Sequence, residues 1–446
     1  MKMSAILLVA LAFLVSLATA DEPATNDAVP SEPELRWWKG NLHTHSLWSD
    51  GDDFPEMIGE WYRNHNYHFL ALSDHNILAE GQKWMKQSAI AKRGGQDALP
   101  KYQDRFGGGW VETRGEPGTD GYEIRLKPLS EYRTLVEERG RFLMIQSEEI
   151  SDKAEGVPVH LNATNIQELV QPLGGMTVRE AITANVRAVE DQAKRKGREI
   201  LVHLNHPNFG LAITAEDLAE VVAERFFEVY NGHPGVKHTG DEHHPSVERL
   251  WDIANTIRVG QLKSPPLMGV ATDDTHDYHG EPGARPGRGW VMVESRYLSP
   301  EYLIRAIKAG RFYASSGVEL KAFGFDPSTK EYKIEIAAEQ GVEYTTEFIG
   351  TLIDADTSSQ PPDNDKQGKP IRASRKYSGE VGKTLATVKG ATAAYQLTGR
   401  ELYVRATITS SKAARDPAFK GQHQQAWVQP VGWEAHVETP AATKEK

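Results

Sequence analysis

Histidines and carboxylates stand beside one another repeatedly in this chain, and their spacing suits metal coordination. Fourteen of the 16 histidines fall between His43 and His279, so the clustering belongs to that segment and not to the composition at large. His43 and His45 flank Thr44. On an extended strand, side chains two apart share a face, so both imidazoles can reach one ion. Asp50-Gly51 follow. Asp74-His75 come directly after the apolar run 69–72. Glu148-Glu149 end the run 142–145, and His160 follows Pro158-Val159. His203 and His206 close the run at 200–202, and Asp273, Asp274 and His276 close the run 267–271. Each piece alone has an ordinary reading, such as an Asp–His pair capping a loop or a solvated glutamate pair. The set is stronger than its parts. Hard carboxylates mixed with neutral imidazoles suit Zn, Mn or Fe, and more than four such ligands imply more than one ion.

Ligands at the ends of successive strands need a scaffold that brings those ends together. Asp53 and Glu56 mark a helix start, and Thr177 with Glu180 forms a capping box for a helix to about Lys196. Thr214, Ser246 and Ser299-Pro300-Glu301 open further helices. Short apolar strands alternate with them at 69–72, 142–145, 200–202, 226–230 and 267–271. Repeated β–α units predict a parallel barrel or sheet with helices outside, and such folds keep their chemistry at the strands' C-terminal face. The polar, Gly-rich stretch 94–128 is a long insertion, an ornament or a lid. After Val318 the pattern changes to alternation, as in Tyr332, Ile334 and Ile336, which predicts a β-sandwich-like domain.

The run 40–46 with Ser49-Asp50-Gly51 resembles the first motif of the PHP (polymerase and histidinol phosphatase) superfamily. Residues 69–76 resemble its second. Glu149-Ile150-Ser151, His160, His206-Pro207 and Asp274-Thr275-His276 match the later motifs in order. Trp37-Trp38-Lys39-Gly40, 310–316 and Ala426-Trp427-Val428-Gln429-Pro430 resemble features of the exported CehA/McbA-like branch. The resemblance implies an α/β fold, a distorted (β/α)7 barrel over 37–318, with a smaller C-terminal β-rich domain and disordered tail over 319–446. It also implies two to three divalent metals. His43, His45, Glu149 and Asp274 would hold one ion. Glu149 would bridge to a second, held also by His160 and His206, and Asp50, His75 and His276 would hold the third. Glu149, Asp274 and His276 are the expected catalytic group. Asp74, Glu148, His203 and Asp273 are expected to orient ligands. Arg288 and Arg285, like Lys237 and His238, are either phosphate clamps or ordinary charges. Asp241-Glu242-His243-His244 reads as a polar loop.

The chain has 446 residues and a net charge of −11, which argues against nucleic-acid binding. It has no cysteine, which excludes disulfides and thiolate sites. Lys2, the apolar run 5–17 and Ala18-Thr19-Ala20 read as a signal peptide over 1–20, followed by a flexible leader over 21–36. The protein is therefore expected to be periplasmic or extracellular, without a membrane span. No G-x-S-x-G motif or P-loop is present. The expected activity is that of a metal-dependent hydrolase acting on a small, anionic substrate, a phosphoesterase. The alternatives are an ester or carbamate hydrolase on the same centre and, from another class, a non-enzymatic surface-binding protein.

Overall fold

The computed structural model describes residues 32–280 and 282–437. The expected signal peptide, most of the leader and the end of the tail lie outside them. Thirteen strands form one sheet. In chain order they are β1 (Arg36–Asn41), β2 (Phe69–Leu72), β3 (Leu143–Ala154), β4 (Val157–Thr164), β5 (Leu201–Leu204), β6 (Phe226–Asn231), β7 (Met268–Thr272), β8 (Trp290–Ser295), β9 (Phe312–Ser315), β10 (Tyr344–Leu352), β11 (Lys383–Lys389), β12 (Glu401–Ala413) and β13 (His423–Val431). Their order across the sheet is β7-β6-β5-β4-β3-β2-β1-β8-β9-β13-β12-β10-β11.

The distorted (β/α)7 barrel expected from the sequence does not close: the strands form an open sheet, with β7 at one edge. Two local causes account for the departure from regular β–α units. Only Glu155-Gly156 separate β3 from β4, and both have positive φ, +52° and +79°. A two-residue turn of that kind makes an antiparallel hairpin and leaves no room for a crossover helix. Strand β8 then joins antiparallel to β1, on the side of β1 away from β2. At the free edge, the side chain of Gln429 in β13 takes the place of a neighbouring strand. Gly269 N–H donates to Gln429 Oε1, and Gln429 Nε2 donates to Gly269 O, both at 2.9 Å.

Helices α1 (Pro55–Asn64), α2 (Val178–Lys196), α3 (Val247–Asn255) and α4 (Pro300–Lys308) lie between strands. Thr177 and Glu180 form the capping box at α2, and the hydroxyls of Ser246 and Ser299 cap α3 and α4. At α1 the N-cap is Phe54, with Pro55 in the first turn, so the start lies one residue later than Asp53 suggests. Among the described residues no helix is long and apolar enough to cross a membrane.

The β-rich segment after Val318 continues the same sheet through the β9–β13 pairing. It is also fastened to α3. Arg405, buried in β12, makes a bidentate pair with Asp252, Nε to Oδ1 and Nη2 to Oδ2, both at 2.7 Å. The segment 94–128 folds as well. Helix Ala98–Phe106 lies in it, and strand Glu123–Leu126 pairs with Lys83–Lys86 and Thr113–Arg114. Its apolar residues pack with Leu47, Trp48 and Phe54. Trp48 Nε1 donates to Lys127 O at 3.1 Å, and from the helix just before the segment Arg93 donates to Ser49 O. The insertion and its flank thus brace the loop that carries Asp50.

Candidate metal centre

Backbone bonds draw the strand ends together. Ser73 N–H donates to Thr44 O, Asp274 N–H to His43 O and His45 N–H to Thr275 O, all at 2.9 Å. His75 leaves the end of β2, His206 follows β5, and Asp274 follows β7. Glu149 and His160 sit differently, inside the long β3–β4 hairpin. Strand β3 runs past the end of β2, and Glu149 there faces His75 through an isolated bridge. Asp274 and His206 hold positive φ, +49° and +23°. Non-glycine residues pay strain for that conformation and keep it where the surroundings over-determine it.

Three groups of donor atoms result. One is His43, His45 and Glu149; one is His45, Asp50, His75 and His276; one is His75, Glu149 and His160. Within each group the donor atoms lie within 4.8 Å of one another. Every two groups share one residue: His45, His75 or Glu149. Asp274 Oδ1 adds to the first group, 3.2 Å from His43 Nε2 and 3.1 Å from His45 Nε2. His206 Nε2 lies 3.4 Å from Glu149 Oε1, beside the third. Glu149 meets the most imidazoles, with His75 Nδ1 at 2.5 Å, His160 Nδ1 at 3.0 Å and His43 Nε2 at 3.5 Å.

The chemistry of these donors fits cations. His43 Nδ1 lies 2.7 Å from Glu228 Oε1, which fixes its proton there and turns the Nε2 lone pair toward His45 and Asp274. The two Nε2 atoms of His43 and His45 lie 3.1 Å apart, within reach of a hydrogen bond or of one shared cation. His276 Nδ1 lies 3.0 Å from Asp274 O, leaving Nε2 toward Asp50. His45 is sandwiched between His75 and His276, ring centroids 4.3 and 4.2 Å away. Burial, then His276 and His75, push its imidazole down to about 3. Burial pushes Asp50 up, but hydrogen bonds from His276 and His75 outweigh it and hold the carboxyl well below its usual range. Asp50 is the open side of the centre, its side chain 51% exposed against 1% for Glu149.

The residues expected to orient ligands fall into two sets. Asp74 accepts from the backbone N–H and hydroxyl of Ser46, both at 2.8 Å, and from those of Ser49, at 3.0 and 2.6 Å. It shapes the loop that delivers Asp50. Gly51 completes that loop, where a Cβ would come 2.6 Å from the His45 backbone. Asp273 accepts from Tyr62 OH and from the N–H groups of Gly287, Arg288 and Gly289, anchoring the loop after His276. His203 Nε2 lies 3.5 Å from Glu228 Oε1, behind His43.

Glu148 and Arg288 lie elsewhere. Strand alternation turns Glu148 to the opposite face from Glu149, where it accepts from Val170 N–H at 2.8 Å. Arg288 is turned to the carbonyls of Gly232 and Gly283 and to Asp416. Arg285 pairs with Asp416 as well. His238 stacks on Tyr230 and bonds Asn231 O. In the 241–244 loop, His244 pairs with Asp241 and His243 with Asp363.

Three residues of the centre escaped the sequence reading. Glu228 is the one carboxylate in the apolar run 226–230, which was its signal. It is fully buried and also accepts from Thr272 Oγ1 and His206 N–H, both at 2.7 Å. Asn205 Nδ2 donates to Glu149 Oε1 at 2.8 Å. His233 lies with its ring 5.6 Å from that of His276. Its Nδ1 accepts from Gly235 N–H, which leaves its proton on Nε2.

No family model matches the chain, and no curated protein matches it. It is similar to a solved structure from Bacteroides vulgatus, a two-domain protein containing a predicted PHP-like metal-dependent phosphoesterase. Identity is 14%, covering 89% of this chain and 95% of that one, with a TM-score of 0.36. It is also similar to a candidate metal-dependent phosphoesterase from Bifidobacterium adolescentis. There identity is 15%, covering 55% of this chain and 89% of that one, with a TM-score of 0.27.

Proposed function

We propose that this protein is a metal-dependent hydrolase of the PHP type, acting as a phosphoesterase on a small anionic substrate. The observation that carries the reading is the set of three donor groups, each sharing one residue with each of the others. His43, His45, Glu149 and Asp274 would hold one ion, Glu149, His160 and His206 a second, and Asp50, His75 and His276 a third. The mixed nitrogen and oxygen donors, without sulfur, suit Zn, Mn or Fe. Bound divalent ions would supply Lewis acidity and an acidified water for attack on phosphorus.

The chain's own residues set the rest. Glu149 would place one negative charge between two of these ions, and Asn205 holds its Oε1 in place. Glu228 and the Asp274 carbonyl fix the proton positions of His43 and His276. Asp50 faces solvent and marks the side from which substrate enters. We assign His233, whose Nε2 keeps a proton, to hydrogen-bond a substrate oxygen at the rim.

One observation favours the second reading, an ester or carbamate hydrolase. Among the described residues, no arginine or lysine pairs with a candidate ligand, and the ion pairs of Asp50 and Asp274 are with histidines. Anion recognition therefore rests on the ions themselves. They offer a phosphate several cationic contacts from the ground state on, whereas a neutral ester gains mainly at its developing oxyanion. Within the proposal the protein is exported, as the pattern at 1–20 reads, and belongs to the CehA/McbA-like branch, as the 426–430 signature reads. A paired assay tests the substrate class: an aryl phosphate against the matching aryl ester and carbamate, with the same metal and pH. The phosphate is expected to have the higher kcat/KM. A preference of about tenfold or more for a neutral substrate, about 1.4 kcal/mol, would overturn the phosphoesterase reading.

A further inference from the structure

A cavity of about 650 Å³ lies at the other end of the parallel strands from the metal centre. It is lined by residues at the starts of β5 and β6, among them Ile200, Leu201, Arg225 and Phe226, whereas His206 follows the end of β5. Its walls are apolar at Val189, Ala193, Ile200 and Phe226 and basic at Arg198 and Arg225, with the carboxylates of Glu190, Glu199 and Glu301 also on the lining. The volume falls in the range of small-molecule sites, which combine an apolar lining with a few placed polar groups.

The two arginines are not equivalent to the other basic residues there. Arg305 and Lys308 pair with Glu199, at 3.3 and 2.9 Å. Arg225 makes no ion pair or side-chain hydrogen bond among the described residues, and its Nε is buried without a partner. Arg198 gives one bond, to Asn165, and its Nε is likewise buried and unpartnered. Burial depresses the Arg225 guanidinium, and the adjacent Glu224 only partly offsets this. Burying a guanidinium N–H, here the Nε of each arginine, without an acceptor is costly. A planar oxyanion meets its fork of donors with two parallel bonds.

We propose that this cavity binds a small organic oxyanion, a carboxylate or phosphoryl group on an apolar body, with Arg225 taking the head group and Arg198 supporting it. The apolar body would lie along Val189, Ala193 and Phe226. The site is separate from the metal centre and does not depend on the hydrolase reading.

Isothermal titration of the full, metal-loaded protein tests this with two probes that resist hydrolysis, phenylphosphonate and 3-phenylpropionate. Saturable binding of at least one is expected. Arg225→Gln should weaken it roughly tenfold or more, as loss of a bidentate charged pair does. Glu149→Gln should leave it unchanged, because that residue belongs to the metal centre. Binding of the phosphonate alone, or of the carboxylate alone, identifies the head group. Absence of binding by either probe, unchanged affinity in folded Arg225→Gln, or a loss that follows Glu149→Gln would overturn the proposal. Where thermal melting shows that Arg225→Gln does not fold, Arg198→Gln decides: weakened binding supports the site and unchanged binding refutes it.

Discussion

Glu228 Oε1 lies 2.7 Å from His43 Nδ1, and both side chains are fully withdrawn from solvent. The carboxylate would therefore act on a bound metal through the imidazole, by fixing its tautomer and raising its basicity. Glu228→Gln keeps the shape and removes the charge. Metal affinity measured by chelator competition should fall about 10- to 100-fold, with the far-ultraviolet spectrum unchanged. Affinity equal to that of the natural protein would show that Glu228 does not tune the site.

Glu148 and Glu149 are neighbours with opposite fates. Glu149→Gln should abolish hydrolysis, since in the proposed centre it would remove the charge shared by two ions, while Glu148→Gln should retain most activity. Steady-state assays at saturating metal compare the two. A dead Glu148→Gln beside an active Glu149→Gln would move the whole assignment by one residue.

Metal removal should loosen the strand ends that the ligands join. Elemental analysis after reconstitution should find at least one transition metal per chain. Chelation should then lower the melting temperature, because a ligand at 100 times its Kd stabilises by about 2.7 kcal/mol. A chain that holds less than one ion, and melts alike with and without chelator, would remove the basis for a metallohydrolase.

Glu224 supplies a pH dependence away from the ligands. Burial pushes its carboxyl up to about 8, against hydrogen bonds from the Phe226 and Arg225 N–H groups and the charge of Arg258; Glu190 adds to the rise. A raised acid pKa means that the folded state keeps a proton which the unfolded chain releases. Stability should therefore fall as pH rises from about 4.5, the ordinary value, to about 8, and then level off. Glu224→Gln should melt like the natural protein at pH 5 and above it at pH 8. Parallel melting curves at both pH values would refute the shift.

Much of the candidate site was legible because the residue types able to ligate metals are few, and several here stand at element ends. His75, His206 and Asp274 follow apolar runs, and the helix caps at Thr177 and Ser299 delimit the frame. What escaped has physical reasons. Glu228 lies inside a strand, where a polar residue reads as a break in a hydrophobic run unless its buried partners are known. Glu148 was placed near the ions by sequence adjacency, although a strand sends consecutive side chains to opposite faces. Regular β–α alternation breaks at Glu155-Gly156, a turn too short for a crossover, and the strands after Val318 read as a separate sandwich because pairing partners such as β9 and β13 lie more than 100 residues apart.

Gln429 gives the sheet's last edge a guardian that is made late. Until synthesis reaches it, the Gly269 backbone in β7 presents an open donor and acceptor beside the apolar Met268 and Val270. Such an edge is a template for pairing with another chain. A growing polypeptide that has completed the strands carrying the candidate ligands is thus still adhesive until β13 is made. Chains cut short before β13 should accumulate as aggregates even when every ligand is present.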